Sequence, residues 1–160
     1  MRQLLLRLCA LLAALGLPAC DGYVQSQLKP GVSTAAEVRS LMGEPGTIWR
    51  NSDGSRTWEY TRQPEGSECF MLTLGPDDVL KSMEQVITPE NMARITRGMS
   101  KDEIRRLLGK PRSVQTFTLK REEVWDWKIG REITTDQFFN VHFDLEGRVV
   151  TTSHSQDMRG

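Results

Sequence analysis

Histidine is scarce in this chain, and that scarcity argues against a metal centre. The two histidines are His142 and His154. A protein metal site usually needs three or four ligands, and no metal-binding motif joins these two to other donors. His142 alternates with Val141 and Phe143, so we expect it on the opposite face of a strand. His154 lies in a polar C-terminal stretch, Thr151 to Gly160, that we expect to be a frayed tail. We predict no bound metal and no cofactor.

Signatures of the common enzyme classes are also missing. The sequence contains no His-Glu-x-x-His, no Cys-x-x-Cys, no Gly-x-Ser-x-Gly and no phosphate-binding glycine loop. The acids have simpler explanations, since Glu37 and Glu103 fit helix caps, while Glu122-Glu123 and Asp77-Asp78 fit turns. Cys69 lies in an apolar, strand-like run with no base tied to it by a motif, so we expect a small buried side chain. We predict that the protein is not an enzyme.

A hydrophobic run long enough to cross a membrane is absent. The apolar stretch Leu8 to Leu17 follows Arg2 and Arg7, and it is shorter than the roughly 20 residues that a span needs. A short apolar run behind a few basic residues is typical of an export signal. At its end, Leu17-Pro18-Ala19-Cys20 resembles a lipobox, the signal of bacterial lipoproteins. The alternative is an ordinary secretory signal that is cut after Ala19.

The lipobox resemblance implies a lipid anchor. It implies cleavage after Ala19, a diacylglycerol thioether on Cys20 and acylation of the new amino group. Because each buried CH₂ contributes about 0.8 kcal/mol, several acyl chains would hold the protein firmly at a membrane. Asp21 favours the inner membrane in enterobacterial lipoproteins, so that membrane is the alternative to the outer membrane facing the periplasm. Cys9 leaves with the signal, so Cys69 has no partner for an intramolecular disulfide.

Neither sign of charge is in excess. The sequence has 21 basic and 21 acidic residues, and losing Arg2 and Arg7 with the signal leaves 19 against 21, a net charge of −2. A nucleic-acid-binding domain carries a basic patch or stripe, which this balance does not supply. We therefore expect no nucleic-acid partner.

The sequence does contain an internal repeat with an offset of 66 residues, in which Thr34 to Pro45 corresponds to Ser100 to Pro111. Each copy begins with a hydroxyl residue followed three positions later by Glu, which predicts a helix with a capping box. Gly43 and Gly109 come at the predicted helix ends, and the proline two residues later prevents continuation. The repeat predicts two units of the same build.

The correspondence continues into predicted strands. Trp58-Glu59-Tyr60 matches Trp125-Asp126-Trp127, with the aromatic residues on one face and the acid on the other. We expect these aromatic side chains in the core, with an exposed partner anchor as the alternative, and Trp49 and Phe117 fit either role. Further strands are predicted at Phe70 to Leu74, Val79 to Met83, Phe139 to Phe143 and Arg148 to Thr152. Short leading helices are predicted at Tyr23 to Leu28 and after Thr88. Each unit is then two helices followed by three or so antiparallel strands, an α+β fold.

The second copy resembles a known family. Its residues run Thr88-Pro89-Glu90, Ile95-Thr96-Arg97-Gly98-Met99-Ser100, Glu103-Ile104, Leu107-Leu108-Gly109-Lys110-Pro111, Trp125 and Phe143-Asp144-Leu145-Glu146-Gly147-Arg148-Val149. This order resembles the SmpA/OmlA, or BamE-like, lipoproteins of the bacterial cell envelope, well over Ile87 to Thr152 and more loosely over Gln27 to Met83. The resemblance implies accessory subunits of the outer-membrane β-barrel assembly machinery, which bind other subunits and carry no catalysis. Two tandem units are also similar in architecture to β-lactamase-inhibitor proteins.

The expected organisation is a signal peptide at 1–19, a first unit at 20–86 and a second unit at 87–160 that ends in the polar tail. These features predict a non-catalytic, lipid-anchored envelope protein that binds and supports the barrel-assembly machinery. The alternative is an inhibitor or modulator of an envelope enzyme that acts through tandem sheet surfaces.

Overall fold

The computed structural model describes residues 26–158. Its elements in chain order are α1 (Ala35–Met42), β1 (Thr47–Arg50), β2 (Arg56–Thr61), β3 (Cys69–Leu74), β4 (Leu80–Gln85), α2 (Pro89–Ala93), α3 (Lys101–Leu108), β5 (Ser113–Phe117), a 3-10 turn (Thr118–Lys120), β6 (Glu122–Glu132), β7 (Thr135–Phe143) and β8 (Val149–Met158). Ser26 and Gln27 are also helical. The expected cleavage site at Ala19, the expected lipid site at Cys20 and most of the leading helix expected at Tyr23 to Leu28 lie outside the described residues.

The strands form two antiparallel sheets of four strands, ordered β1-β2-β3-β4 and β5-β6-β7-β8. Helices precede each sheet in the chain, so the predicted α+β fold of two tandem units is confirmed. Each sheet has four strands where three or so were expected, because short first strands at β1 and β5 pair with β2 and β6. None of the helices among residues 26–158 has the length and hydropathy of a membrane span.

The repeat is visible in local hydrogen bonds. Thr34 and Ser100 cap α1 and α3, and in both capping boxes the Glu three residues on accepts from the cap's backbone N–H, at 2.7 Å. These hydrogen bonds lower the pKa of Glu37 and of Glu103. Gly43 and Gly109 end the helices with φ near +79° and ψ near −165°, a region that is essentially restricted to glycine. The predicted helix signals are confirmed in both copies.

The second aromatic residue of each matched strand ties the sheet to its own helix. The Tyr60 hydroxyl donates to the Gly43 carbonyl at 3.0 Å, and the Trp127 indole N–H donates to the Gly109 carbonyl at 3.2 Å. Burial raises the pKa of Tyr60 to about 12, so the hydroxyl stays a donor at neutral pH. The two units therefore close the helix end onto the sheet in the same way.

The helices α2 and α3 lie between the two sheets. One apolar cluster joins α1 to one face of the first sheet, and contains Leu28, Ala35, Val38, Trp58, Tyr60, Phe70, Leu72, Leu74 and Leu80. The other cluster contains Cys69, Met71, Val86, Ile87, Ile104, Leu108, Trp125, Trp127, Phe139, Val141, Phe143 and Val149. Because Cys69 and Met71 come from the opposite face of the first sheet, the layers run α1, first sheet, α2 with α3, second sheet. Trp58, Tyr60, Trp125 and Trp127 are all buried, so their predicted core role is confirmed.

The C-terminal stretch from Thr151 onward is not a frayed tail, and that prediction was wrong. It belongs to β8, which pairs with β7 from Phe143↔Val149 to Thr135↔Met158. β7 supplies partners for the backbone groups, so the strand forms although its side chains at 151–157 stay exposed. Polar composition alone therefore did not indicate disorder.

The pair Glu122-Glu123 was also misplaced, because it begins β6 and does not form a turn. The turn comes earlier, at Thr118–Lys120, and Arg121 closes it with a positive φ of 54°. Asp77 and Asp78 do lie in a turn, where Asp78 adopts a φ of 62°. The turn predicted at that second pair is confirmed.

Candidate protein-binding face

The acid between the two aromatic residues has the same orientation in both units. Glu59 and Asp126 point away from the helix that their aromatic neighbours contact. Both acids are nonetheless buried, since Glu59 is 1% and Asp126 5% exposed. In each case the burial is compensated by hydrogen bonds from cations or N–H and O–H groups, as a buried carboxylate requires.

Glu59 lies where the second unit packs on the first sheet. Arg105 Nη1 donates to both of its oxygens at 3.1 and 3.0 Å, and the Lys110 backbone N–H donates at 3.0 Å. Trp49 lies on the same face beneath Arg105 and Arg106, with guanidinium carbons 5.6 and 4.6 Å from a ring centroid. This face of the first sheet is thus the interface with the second unit of the same chain.

The equivalent face of the second sheet holds Asp126, and we call it the open face. Strand register places on it Ser113, Gln115, Phe117, Glu122, Val124, Asp126, Lys128, Phe138, Asn140, His142, Ser153 and Ser155. Its central depression has a volume of about 250 Å³ and is lined by residues of β5, β6, β7, β8 and the adjoining turns, with none from an α-helix among residues 26–158. By the repeat, the open face corresponds to the surface through which the first sheet binds the second unit.

A polar network crosses the open face. Asp126 accepts hydrogen bonds from Arg112 Nε and from the Ser113 hydroxyl. The Arg112 guanidinium also stacks over Phe138, 4.3 Å from the ring centroid. Asn140 Nδ2 donates to Ser155 at 3.1 Å. These contacts fix the side chains before any partner arrives, which reduces the entropy lost on binding.

A carboxylate, an imidazole and a hydroxyl stand in line on this face. His142 Nδ1 is 3.4 Å from Glu122 Oε2, and Nε2 is 2.9 Å from the Ser153 hydroxyl. His142 is therefore on the face opposite Val141 and Phe143, as predicted. A serine nucleophile of this kind usually sits on a sharp turn beside backbone N–H groups that hold the oxyanion. Ser153 lies in the middle of β8, so we interpret the three residues as a cross-strand hydrogen-bond network.

A buried ion cluster closes one end of the face. Lys128 Nζ lies 3.1 Å and Arg131 Nε 2.7 Å from the same oxygen of Asp136, which is 1% exposed. The Arg131 hydrogen bond holds the pKa of Asp136 at about 2. Lys128 Nζ also donates to the Glu65 carbonyl of the first unit at 3.1 Å. The cluster thus anchors the open face to the first unit.

Gln63 of the first unit pairs with the edge of β6 beyond the start of β5, whose first residue Ser113 lies opposite Asp126. Its side-chain amide donates to the Lys128 carbonyl at 2.8 Å and accepts from the Lys128 N–H at 3.2 Å. The amide thus takes the place of one residue of a neighbouring strand, so this part of the edge is satisfied.

Apolar side chains project at the rim of the open face. Phe117 is 40% exposed at the end of β5, and Leu119 in the following turn is fully exposed. Lys120 Nζ lies 5.7 Å from the Phe117 ring centroid. Aromatic residues are enriched at protein interfaces relative to the rest of the surface. Of the two residues whose role was open, Phe117 fits the anchor and Trp49 the internal contact.

The remaining sequence candidates have structural roles. Cys69 is fully buried against Gly109, and burial raises the pKa of its thiol to about 12. His154 packs its ring on Phe139, with centroids 5.3 Å apart. Among residues 26–158, no cluster of three or more His, Cys, Asp or Glu side chains could hold a metal ion. The sequence pattern did not indicate the roles of Glu59, Gln63 and Asp136. Glu59 and Gln63 bind partners distant in sequence, and Asp136 binds Arg131 across the β6–β7 hairpin, which was not predicted.

Residues 84–153 match the family model of the outer membrane protein assembly factor BamE domain. The second unit is BamE-like. This confirms the resemblance that the sequence pattern indicates for Ile87 to Thr152. The match covers less than half of the chain, and it includes α2, α3 and the open face up to Ser153. Whether the first unit is a further copy of the BamE domain stays a prediction.

Comparison with other known proteins adds no functional argument. No curated protein matches the chain. A DUF4309 family protein, YjgB of Bacillus subtilis, is similar at 13% identity and a TM-score of 0.32, covering 81% of this chain and 82% of its own. A Streptococcus mutans protein, provisionally described as a β-lactamase inhibitor, is similar at 12% identity and a TM-score of 0.35, covering 89% and 98%. Likeness at this level carries no argument about function.

Proposed function

We propose that this protein is a non-catalytic, lipid-anchored envelope protein that binds and supports the outer-membrane β-barrel assembly machinery. The BamE match over the second unit carries the proposal. The lipobox resemblance of Leu17 to Cys20 agrees with it, since it implies an anchor at Cys20 after cleavage behind Ala19. The proposed site is the outer membrane facing the periplasm, with the inner membrane as the alternative because of Asp21.

The proposed contact surface is the open face. The internal repeat supports this assignment, because the equivalent face of the first sheet already binds a protein unit through Glu59. The network around Asp126 and the projecting Phe117 supply a preformed polar surface with an aromatic anchor at its rim. Equivalent faces of the two sheets would then both bind protein. The face of the first sheet binds the second unit, and the open face would bind a barrel-assembly subunit.

The test is a pull-down of the tagged, lipidated protein from gently solubilised envelopes, with partners identified by mass spectrometry. We expect barrel-assembly subunits, and we expect Phe117→Glu to reduce their recovery. Ile48→Glu is the matched control, because Ile48 is 44% exposed on the first sheet. Cys20→Ala should abolish palmitate labelling and release the protein from membranes. Recovery of no barrel-assembly subunit with the unaltered protein would refute the proposal.

Inhibition of an envelope enzyme is the second candidate function. The order of the layers restricts the surfaces through which it could act. Inhibition through tandem sheet surfaces needs both sheets to be accessible. The first sheet faces α1 on one side and the second unit on the other, so the open face of the second sheet is what remains for such a role. Recovery of one soluble enzyme in the pull-down, without barrel-assembly subunits, would support it.

A further inference from the structure

The strand β8 is an edge of the second sheet, and its outer side is paired only at its start, where the Val149 N–H donates to the Met99 carbonyl and the Val149 carbonyl accepts from the Gly98 N–H. From Thr151 onward, no strand among residues 26–158 lies on that outer side. It spans ten residues, and β7 is its neighbour on one side. In an antiparallel edge strand, alternate residues direct their N–H and C=O groups away from the sheet. Natural edges are usually protected by short length, proline or charge, especially lysine. β8 contains no proline and no lysine, its bulge lies at its start between Val149 and Thr151, and its side chains at 151–157 are exposed.

The other sheet edges differ from β8. β1 has four residues and β5 has five, and both are short by comparison. β4 carries Lys81 and Glu84, charges that discourage strand pairing. Length and composition thus single out β8 among the edges of the two described sheets.

An apolar cleft runs beside β8 on the side that faces the helices. It has a volume of about 420 Å³ and lies between β8 and α2. Its lining includes Ile87, Met92, Ile129, Phe139, Thr152 and His154. Thr152 and His154 of β8 point to this side, because Thr152 pairs with the buried Val141 and His154 with Phe139. A strand laid against β8 would direct every second side chain toward the cleft.

We infer that the groove between β8 and α2 binds an extended polypeptide segment that adds to the second sheet as a further antiparallel or parallel strand. The outward-facing backbone groups of β8 from Thr151 onward supply the hydrogen bonds, and the cleft takes an apolar side chain of the segment. Strand addition with pockets for alternate side chains is a general mode of peptide recognition. The unpaired backbone groups fit an extended chain, and neither a helix nor a lipid could satisfy them.

The chemistry of the expected segment follows from the groove. It has apolar residues at alternate positions to reach the cleft, and polar residues between them to continue the surface of Ser153 and Ser155. Asp157 is the acidic residue of β8, which contains no lysine or arginine, so the segment meets few charged side chains on this strand. This inference goes beyond the proposed function, because it concerns a different surface from the open face and names the form of its partner.

The experiment uses the purified protein and a synthetic peptide that alternates valine and threonine, with lysines at its ends for solubility. Fluorescence anisotropy measures binding, and amide hydrogen exchange measures the protection of β8. We expect saturable binding and slowed exchange at alternate residues of β8. A peptide of the same composition in scrambled order, and one N-methylated along the pairing edge, should not bind.

Two substitutions to arginine test the position of the groove. Ala93→Arg places a charge at the cleft on the exposed end of α2, and it should weaken peptide binding about tenfold or more, the scale of losing one interface anchor. Ala36→Arg is the matched control on exposed α1 and should bind as the unaltered protein does. Both positions are solvent-exposed, so both variants should keep the thermal stability of the parent.

Several outcomes would overturn the inference. One is equal binding of the alternating, scrambled and N-methylated peptides, and another is equal loss in both arginine variants. Protection of β8 that rises with protein concentration in the absence of peptide would mean that a second copy of the chain occupies the edge. None of these results depends on barrel-assembly subunits, so the pull-down and the peptide experiment can fail separately.

Discussion

Arg105 Nη1 donates to both carboxylate oxygens of Glu59 and so joins the first sheet to the second unit. The Arg105 side chain is 19% and the Glu59 side chain 1% exposed. Desolvation makes such a pair costly to form, but removing one partner leaves the other buried and unpaired. The pair therefore adds little to the net free energy of folding, and its main role is to hold the two units in one relative position.

Glu59→Ala should lower the free energy of unfolding by about 3 kcal/mol, because Arg105 and the Lys110 N–H lose their acceptor. Chemical denaturation measures this loss. The control is Glu44→Ala in the exposed Arg39–Glu44 pair, which should cost about 0.5 kcal/mol or less. Equal losses in the two variants would contradict the assignment of Glu59 as a contact between the units.

Gly109→Ala should destabilise the protein more than Gly43→Ala, although the two glycines have the same backbone angles. Both substitutions force alanine into a glycine-only region, at about 2 kcal/mol each. At Gly43 a new Cβ meets no atom within 4 Å, whereas at Gly109 it would overlap the Cys69 sulfur. The overlap should add about 1 to 3 kcal/mol.

A double variant checks the cause of that difference. In a Cys69→Ala background the sulfur is gone, so the difference between Gly109→Ala and Gly43→Ala should shrink. A difference that persists unchanged would show that the Cys69 contact is not its source.

The ionisation of Asp136 should make the stability of the protein depend on pH in the acid range. Its folded pKa is about 2 against an ordinary 3.8, so its ionised form stabilises the fold above about pH 4, and this contribution is lost as the pH falls toward 2. Asp136→Asn should therefore have a lower melting temperature than the parent at pH 7, with the gap closing between pH 4 and pH 2. Glu146→Gln in the exposed turn before β8 is the control, and its effect on the melting temperature should be small, because an exposed side chain contributes little to stability. A constant gap for Asp136→Asn at all pH values would contradict the prediction.

Cys69 should resist thiol reagents in the folded protein. Burial raises its pKa to about 12 and closes access, so thiolate is scarce near neutral pH. In a chain that begins at residue 20 and carries Cys20→Ser, Cys69 is the one thiol left. We expect slow labelling by iodoacetamide without denaturant and fast labelling in denaturant. Fast labelling of the folded chain would mean that the contact between the units opens readily.

Ser153 should not behave as a nucleophile. Its hydroxyl contacts His142 Nε2, but it lies in the middle of a strand and not on a nucleophile turn. A fluorophosphonate probe should therefore leave it unlabelled. Covalent labelling that disappears in both Ser153→Ala and His142→Ala would refute the non-catalytic assignment.

Features that depend on residues close in sequence could be predicted from the sequence. Contacts between the two units could not. The capping boxes at Thr34 and Ser100 and the helix ends at Gly43 and Gly109 depend on residues within one turn of each other. The burial of Glu59 depends on Arg105, which lies 46 positions later. A period-two pattern places an acid on the far face of a strand, but it does not say what covers that face.

Most of the strand β8, at the edge of the second sheet, was also missed because its order depends on residues distant in sequence. Thr151 to Met158 lacks the apolar alternation that marks a half-buried strand, so composition favoured a tail. Its order comes from the β7 backbone, which sequence periodicity does not report. The open face was missed for a related reason, since Asp126 and His142 reach it from two strands and Arg112 from the loop before β5.

The placement of α2 and α3 between both sheets has a consequence for a shortened chain. The face of the first sheet that bears Cys69 and Met71 is covered by residues that extend to Leu108 in the second unit. An apolar sheet face without its cover is prone to aggregation. A gene cut between the two units would therefore yield a first half prone to misfolding.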